Sequence, residues 1–450
     1  GIGAYVLAME MVDDRRAAFL AGLIYAFYPY HFAQRNHLNL LSVQWIPFSL
    51  LFLIRATRNG RWIDGGLSGL FFAFSGLSGW HTMTLSGMLG GLWLLYAWLA
   101  QGERLNRRSW QALAALLIAV AVITGPFLAP IVREQLAGPG GQDSYLGKED
   151  ETQADLVAYF VPNLYQPLWG DLAAPVHRRF LRNKDHSVAL GYVPLGLLMV
   201  GLFWPRKDPS FRFWMIGLGI SWLLALGPFP RINGQAYPGI PMPYRLVGWS
   251  FPVRSIRSPE RFSILVSLCL ALAAASGMKR LLAGLSMRRE TAAFVVACAL
   301  VLLEYWSWPF PTRTPDVPAG YRQVAEKARD SAIVDLPISN DFSKRYMYYQ
   351  TAHQRPTVTG HISRPPSNAY AFLESNRLLR AMRMEGPVNL EGDPTTDLAA
   401  MAEAGVDYIV VHKDEMEAAD LSTVRGYLPT PPVHEDHELV VYATQVTQEP

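Results

Sequence analysis

The chain has 450 residues, of which 50% are apolar and only 17% charged, with a formal net charge of +3. Ordinary soluble domains carry about a quarter charged residues, so this composition argues against a water-soluble enzyme. The small surplus of Lys and Arg gives no ground for a nucleic-acid partner, because it lies in short loops between apolar runs, where it sets orientation in a membrane.

In chain order, residues 1–11 read as part of a span already under way, so at least one earlier span and its outer loop are expected to precede them. Apolar runs then cover 17–30, 38–54, 64–80, 82–100, 110–130, 188–204, 213–227, 261–277 and 291–308. Most approach the roughly 17 to 25 residues that a transmembrane helix needs. The expectation is a polytopic α-helical membrane protein with about nine to ten spans. Basic clusters at 13–16, 55–61, 103–108, 205–212 and 279–289 alternate with the other connections and are assigned to the cytoplasmic side. Residues 1–308 thus form a transmembrane domain with outer loops 132–187 and 228–260. Gly65 and Gly69, and Gly87 and Gly91, are small-residue pairs that let helices approach. Cys269 and Cys298 sit inside apolar runs and suggest no disulfide framework.

The stretch YPYHFAQRNHLNLLSVQW, residues 28–45, interrupts this pattern. On a helix continuing back from the span, His37, Leu41 and Gln44 share a face, with His31 and Gln34 farther out. Such a stripe faces either a substrate path or a neighbouring helix to which it bonds. Two His six residues apart do not share a helix face, which argues against a metal pair there. Trp80 and His81 mark a tight outer turn, with Trp80 explained by interfacial anchoring.

The long loop 132–187 carries acids, among them Asp155, followed by DLVAYFVPNLYQPLWGD. Asn163, Gln166 and Trp169 among other aromatics suit a sugar, whose C–H faces pack on rings while amides take hydroxyls. The same composition suits a segment resting in the membrane interface. The second loop ends in WSFPVRSIRSPERF, where Arg254, Arg257 and Arg261 approach a span from the outer side. Paired guanidinium donors there suit a lipid phosphate, or headgroup anchoring beside Glu260.

After Trp308, PFPTRTPDVP marks a boundary. Residues 309–450 alternate like a soluble α/β domain, with strands expected at SAIVDLP, DYIVVHK and HELVVYAT and helices at YRQVAEKARD, AYAFLESNRLLRAMRM and DLAAMAEAGV. Asp335 and the segment His361 to Pro366 are its candidate binding residues. The membrane topology places this domain outside the cytoplasm.

Several stretches together resemble the GT-C superfamily of polytopic glycosyltransferases that use polyisoprenyl-phosphate sugars, especially family 39-like and YfhO-like bacterial membrane proteins. These are AFYPY, Gln44-Trp45-x-Pro47, RATRNGR with GGLSGLFFAFSGLSGWHT, YFVPNLYQPLWG, the Arg-rich entry at 254–262, and QTAHQRPTVTGHISRPP. The resemblance implies a bacterial-type plasma-membrane protein that moves sugar from a lipid-linked donor to a cell-envelope glycan, lipid or protein acceptor, among membrane lipids. In that superfamily the catalytic carboxylate lies in the first outer loop, which is expected to precede this chain, so no catalytic residue is carried over. No cofactor is assigned, and a divalent metal stays open. The rival readings are a flippase or transporter of lipid-linked glycan, and a noncatalytic envelope-assembly or glycan-binding protein.

Overall fold

The computed structural model describes residues 1–35, 37–100, 106–137, 153–180, 187–203, 209–250, 253, 256, 258–307, 316–326, 331–361, 369–383 and 388–445. The chain divides into two compact units, the first made of Gly1–Ala137 and Tyr145–Phe310, the second containing Pro311–Pro450.

The first unit is helical. Helices α1 (Ile2–Val12), α2 (Arg15–Phe27), α3 (Pro29–Ala33), α4 (Leu38–Leu41), α5 (Trp45–Asn59), α6 (Trp62–Ser78), α7 (Trp80–Ala100) and α8 (Arg107–Ala137) precede the long loop. Local chemistry explains several boundaries. Asp13 turns left-handed to close α1, and the Asp14 carboxylate accepts from Ala17 N at 2.8 Å to open α2, satisfying an amide with no partner inside the helix. Pro29 occupies the first turn of α3, where its missing N–H costs nothing. Gly60, at φ 63°, ends α5.

After the loop come α9 (Gly170–His177), α10 (Tyr192–Phe203), α11 (Pro209–Ala225), a hairpin of β1 (Arg231–Ile232) and β2 (Gln235–Ala236), α12 (Tyr244–Val247), α13 (Ser263–Leu282) and α14 (Met287–Glu304). Among the described residues, four stretches are long and apolar enough to cross a bilayer: Leu38–Asn59, Trp80–Ala100, Arg107–Pro130 and Pro259–Leu282. The other expected spans fold as shorter or more charged helices. Thus α2 is held to 13 residues between its Asp14 cap and the Tyr28–Pro29 step, and α14 opens on Arg288, Arg289 and Glu290.

α13 runs through the centre, with every residue from Ser263 to Met278 buried. A helix apolar on all sides needs such surroundings. Gly277 lets α10 lie against it, since a Cβ there would meet the Leu197 carbonyl oxygen at 1.8 Å. Gly65 and Gly69 do the same for α6 against α8, with the Ala112 and Leu116 oxygens at 1.9 and 2.4 Å from such a Cβ. The Gly87/Gly91 pair is not used in this way, because nothing lies within 4 Å of a Cβ at Gly91.

The basic connections gather at one end of this unit. Arg16 pairs with Glu290 at 2.9 Å, Arg55 with Glu10 at 2.6 Å, and Lys279 Nζ reaches the Val12 carbonyl at 2.5 Å. The long loop and the β1–β2 hairpin meet at the other end. There Asp155 Oδ1 accepts from Val157 N and Asn233 N, and Oδ2 from Gly234 N, at 2.7 to 3.0 Å. Asn233 and Gly234 both have positive φ, as a two-residue hairpin turn requires, so one carboxylate ties the loop to that turn.

The second unit is a four-stranded sheet of order β3–β4–β6–β5, from β3 (Ala332–Leu336), β4 (Val406–His412), β5 (His434–Glu435) and β6 (Leu439–Ala443). β3 and β4 are parallel, whereas β6 pairs antiparallel with both β4 and β5. Period-two alternation sends Val334, Ile409, Val411, Val440 and Tyr442 to one core. Ile333, Val410, Leu439 and Val441 face the other, beneath α15 (Gly320–Glu326) and α16 (Asn340–His353). Within the helix expected over 369–384 lie two helices, α17 (Ala371–Ser375) and α18 (Arg377–Arg383). Asn376 separates them by accepting from Leu379 N and donating to the Asp397 carbonyl. Asp397 belongs to α19 (Thr395–Glu403), and α20 (Ala418–Tyr427) follows β4.

Candidate functional site

At the end of the first unit opposite the basic connections, buried tyrosines cross-link helices to loops. Tyr28 Oη donates to the Val188 carbonyl at 2.6 Å, Tyr305 Oη to Leu190 at 2.6 Å and Tyr25 Oη to Val43 at 3.0 Å, while Tyr159 Oη and Ser263 Oγ lie 3.0 Å apart. Each hydroxyl replaces the water it loses with an oxygen partner. Two groups on α3 depart from this pattern. Tyr30 Oη and His31 Nε2 are both buried without a partner among the described residues, although Tyr30 is 1% and His31 8% exposed. The His31 ring is fixed edge-on by Tyr25 and Tyr28, with centroids at 5.3 and 6.1 Å. Glu260 and Arg261 act electrostatically on the Tyr30 hydroxyl. They lie on the 3₁₀ turn Pro259–Phe262 that leads into α13. Glu260 is buried, and Arg261 is half-buried with Nη1 donating to the Ile256 carbonyl at 2.6 Å.

The continuous polar face expected over 37–44 does not form. α4 ends at Leu41 and α5 begins at Trp45, leaving His37 and Gln44 as exposed residues at two separate helix starts. Pro47 is the reason, because a helix running through it would lose its N–H bond to residue 43 and clash with that carbonyl, whereas the first turn of a new helix accommodates it. Gln34 is half-buried where α3 closes, its N–H bonded to the Tyr30 carbonyl at 3.1 Å. His81 is buried in the first turn of α7, its ring against Gly79. Arg254 and Arg257 lie outside the described residues.

Asn163 and Gln166 are also corrected. Asn163 Oδ1 accepts from Tyr165 N and Ser187 Oγ, and Nδ2 donates to Ser307 Oγ at 2.5 Å. Gln166 Oε1 accepts from Leu168 N and Trp169 N, and Nε2 donates to the Leu303 carbonyl at 3.1 Å. Both amides build the loop instead of facing a sugar, a side chain to backbone pattern typical of turns. Trp169, beside them, is half exposed. Sequence reasoning missed Tyr30. Its only sequence signal is the Tyr-Pro-Tyr step, where Pro29 starts a new helix and turns Tyr30 inward.

The second unit holds a distinct polar interior on the face beneath α15 and α16. Asp335 Oδ1 accepts from the Tyr321 hydroxyl and lies 3.3 Å from His412 Nε2, which is itself 2.9 Å from Tyr321 Oη. His412 stacks on Tyr346 at 4.4 Å, and His353 on Tyr321 at 5.2 Å. Arg355 is 1% exposed, donates to Ser331 Oγ at 2.5 Å and sits over the Tyr408 ring. Burial raises the Tyr321 pKa well above its ordinary value, and the neighbouring Asp335 charge adds to this. Burial lowers that of His353, with Asp335 opposing the shift and Arg355 reinforcing it. Of the expected His361 to Pro366 segment, only His361 is described. Among the described residues, no three or more of His, Cys, Asp and Glu are grouped to hold a metal ion.

No protein-family model matches the chain, and no curated protein matches it. Among solved structures, the chain is similar to the arabinofuranosyltransferase AftD from Mycobacteria, with a TM-score of 0.56 at 14% identity, over 99% of this chain and 34% of that one. It is also similar to ArnT from Cupriavidus metallidurans, solved with undecaprenyl phosphate bound, with a TM-score of 0.51 at 12% identity, over 99% of this chain and 82% of that one. The chain therefore shares its fold with these two structures. The chain spans about a third of the length of AftD and most of that of ArnT.

Proposed function

We propose that this protein is an integral membrane glycosyltransferase that moves a sugar from a polyisoprenyl-phosphate donor to a hydroxyl of a cell-envelope acceptor on the outer face, where the second unit also lies. In this reaction the bond from the sugar's anomeric carbon to the lipid phosphate oxygen breaks. A bond from the acceptor oxygen forms, and a carboxylate takes the acceptor proton. The departing phosphate gains charge, so donors fixed beside it lower the barrier.

The observation that carries this reading is Tyr30 Oη, buried without a partner among the described residues and acted on by the charges of Glu260 and Arg261 at the head of α13, with His31 Nε2 also buried and unpartnered one residue on. Buried polar atoms without partners are costly, and a phosphate oxygen would satisfy the Tyr30 hydroxyl. Arg261 spends one donor on the Ile256 carbonyl, and its guanidinium has others to offer. Arg254 and Arg257 precede it in the same WSFPVRSIRSPERF segment and would add positive charge for a phosphate. The bound undecaprenyl phosphate in ArnT makes a lipid phosphate the natural probe. Binding of undecaprenyl phosphate to the nanodisc-reconstituted protein should weaken about ten- to a hundredfold in Arg261→Ala and Arg257→Ala, because charge-assisted bonds contribute about 1.5 to 3 kcal/mol each. Lys replacements should recover only part, lacking the paired geometry. Unchanged affinity in both Ala variants, with folding intact, would refute the site.

A further inference from the structure

The loops at the outer end of the first unit expose apolar residues where a water-facing loop would hide them. Leu168 and Leu172 are 57% and 74% exposed, with Trp169 between them at 50%, and in the second loop Leu246 and Trp249 are 76% and 77% exposed. Asn163 and Gln166 of the first loop point inward, each 1% exposed, while Asp171 and Arg245 stay exposed beside the apolar tips. Large apolar side chains exposed beside buried amides are unusual for a loop in water.

Hydrogen bonds fix where these tips lie. Gln166 Nε2 binds the Leu303 carbonyl in the last turn of α14, a helix that exposes Val295, Val296 and Leu300. In the second loop, Met242 N binds the Pro228 carbonyl at 3.2 Å, just beyond the end of α11, which exposes Ile216, Ile220 and Leu223. Each tip therefore prolongs the apolar outer surface of a helix past its last turn. Tryptophan beside leucine at that level is the composition of the membrane–water interface, where an indole keeps its ring in the apolar layer and its N–H near polar groups.

We propose that residues 168–172 and 246–249 are two interfacial wedges that rest in the headgroup layer of the outer leaflet and set the depth of the Arg261 turn. This rests on the membrane reading of the first unit and adds the partner of two specific surfaces, a lipid interface. It also decides between the two readings of the long loop, sugar contact or interfacial segment, in favour of the second.

The test is spin labelling of the full chain in lipid nanodiscs, in a Cys269→Ala, Cys298→Ala background, at Leu168→Cys, Leu172→Cys and Leu246→Cys. Two reference sites accompany them: Leu117→Cys, 66% exposed on α8, and His437→Cys, 84% exposed in the second unit. Collision with oxygen should exceed collision with a water-soluble nickel chelate at all three wedge sites, at values between those of the references. Chelate access equal to that of His437→Cys would place the tips in water and overturn the proposal. Exclusion of both reagents would mean that protein covers them, with the same consequence. If Leu117→Cys also favours the chelate, it is the membrane reading that fails; if Leu117→Cys favours oxygen and the wedge sites do not, only the wedges fail.

Discussion

The two units bury polarity in opposite ways. In the first, the buried groups at the end that carries the long loop are mostly neutral hydroxyls and amides, several of which reach a backbone carbonyl or a neighbouring side chain; charged pairs such as Arg16–Glu290 and Arg55–Glu10 stay half-exposed at the other end. In the second unit, Asp335, Arg355, His353 and His412 are all almost wholly inside. A bilayer offers no water to an unpaired polar atom, so the sparing use of charge in the first unit is the expected economy. Against the bonded hydroxyls of Tyr25, Tyr28 and Tyr305, the Tyr30 and His31 atoms have no partner among the described residues. In the second unit, orphaned polar atoms such as Asp335 Oδ2 and His353 Nε2 are part of a dense ionic and aromatic packing, and the same observation there carries less functional weight.

The largest effect that would test this contrast is expected at Asp335. Asp335→Ala leaves the buried Tyr321 hydroxyl without its acceptor, and an unsatisfied buried donor costs about 1 to 3 kcal/mol. Hydrogen exchange on the intact protein should then rise about ten- to a hundredfold in β3 and β4, with little change in α13. Unchanged exchange in the strands would mean that the apolar cores alone hold this unit and that its polar interior is incidental.

A smaller effect follows from pH. Burial lowers the His353 pKa from its ordinary value, the Asp335 and Arg355 charges acting in opposite senses beside it and the Tyr321 ring stacked on it. The unfolded chain then binds a proton at a pH where the folded one does not. This contribution leaves stability untouched above the ordinary imidazole value of about 6.5 and erodes it as pH falls below that value, until the folded pKa is reached. The thermal midpoint of the second unit should decline over this window in the native chain and decline less in His353→Gln. Parallel profiles for the two proteins would assign the pH response to another group.

Much of this arrangement was legible in the residues. The three principal strands, at 332–336, 406–412 and 439–443, are short β-branched runs between turn residues, and the Gly65/Gly69 spacing announced a close helix contact that the structure makes. The candidate site was less legible, because its reading depended on helix continuity. Pro47 starts a helix instead of letting one pass, so His37 and Gln44 lose their common face. Asn163 and Gln166 have the composition of a sugar site but the local spacing of turn-forming amides, and composition cannot tell these apart. Tyr30 was hidden among 20 tyrosines. Its buried hydroxyl has no bond among the described residues, a property of packing that no residue pattern encodes.

The smallest expected change in stability is at Tyr30, and it separates function from packing. Tyr28→Phe removes a hydroxyl that donates to the Val188 carbonyl and leaves that buried oxygen without its partner, so it should cost about 0.5 to 1.5 kcal/mol. Tyr30→Phe removes a hydroxyl that has no partner among the described residues, so it should leave the thermal midpoint unchanged or raise it slightly. If the hydroxyl serves the donor phosphate, undecaprenyl phosphate should bind Tyr30→Phe several-fold more weakly, by the about 1 kcal/mol that one neutral hydrogen bond contributes. Tyr28→Phe, whose hydroxyl is already committed to the loop, should bind it as the native chain does. A Tyr30→Phe protein that is as stable as the native one and binds the lipid phosphate equally well would show that this hydroxyl is merely tolerated. The head of α13 would then be a junction between helices, and the likeness to AftD and ArnT would stop at the fold.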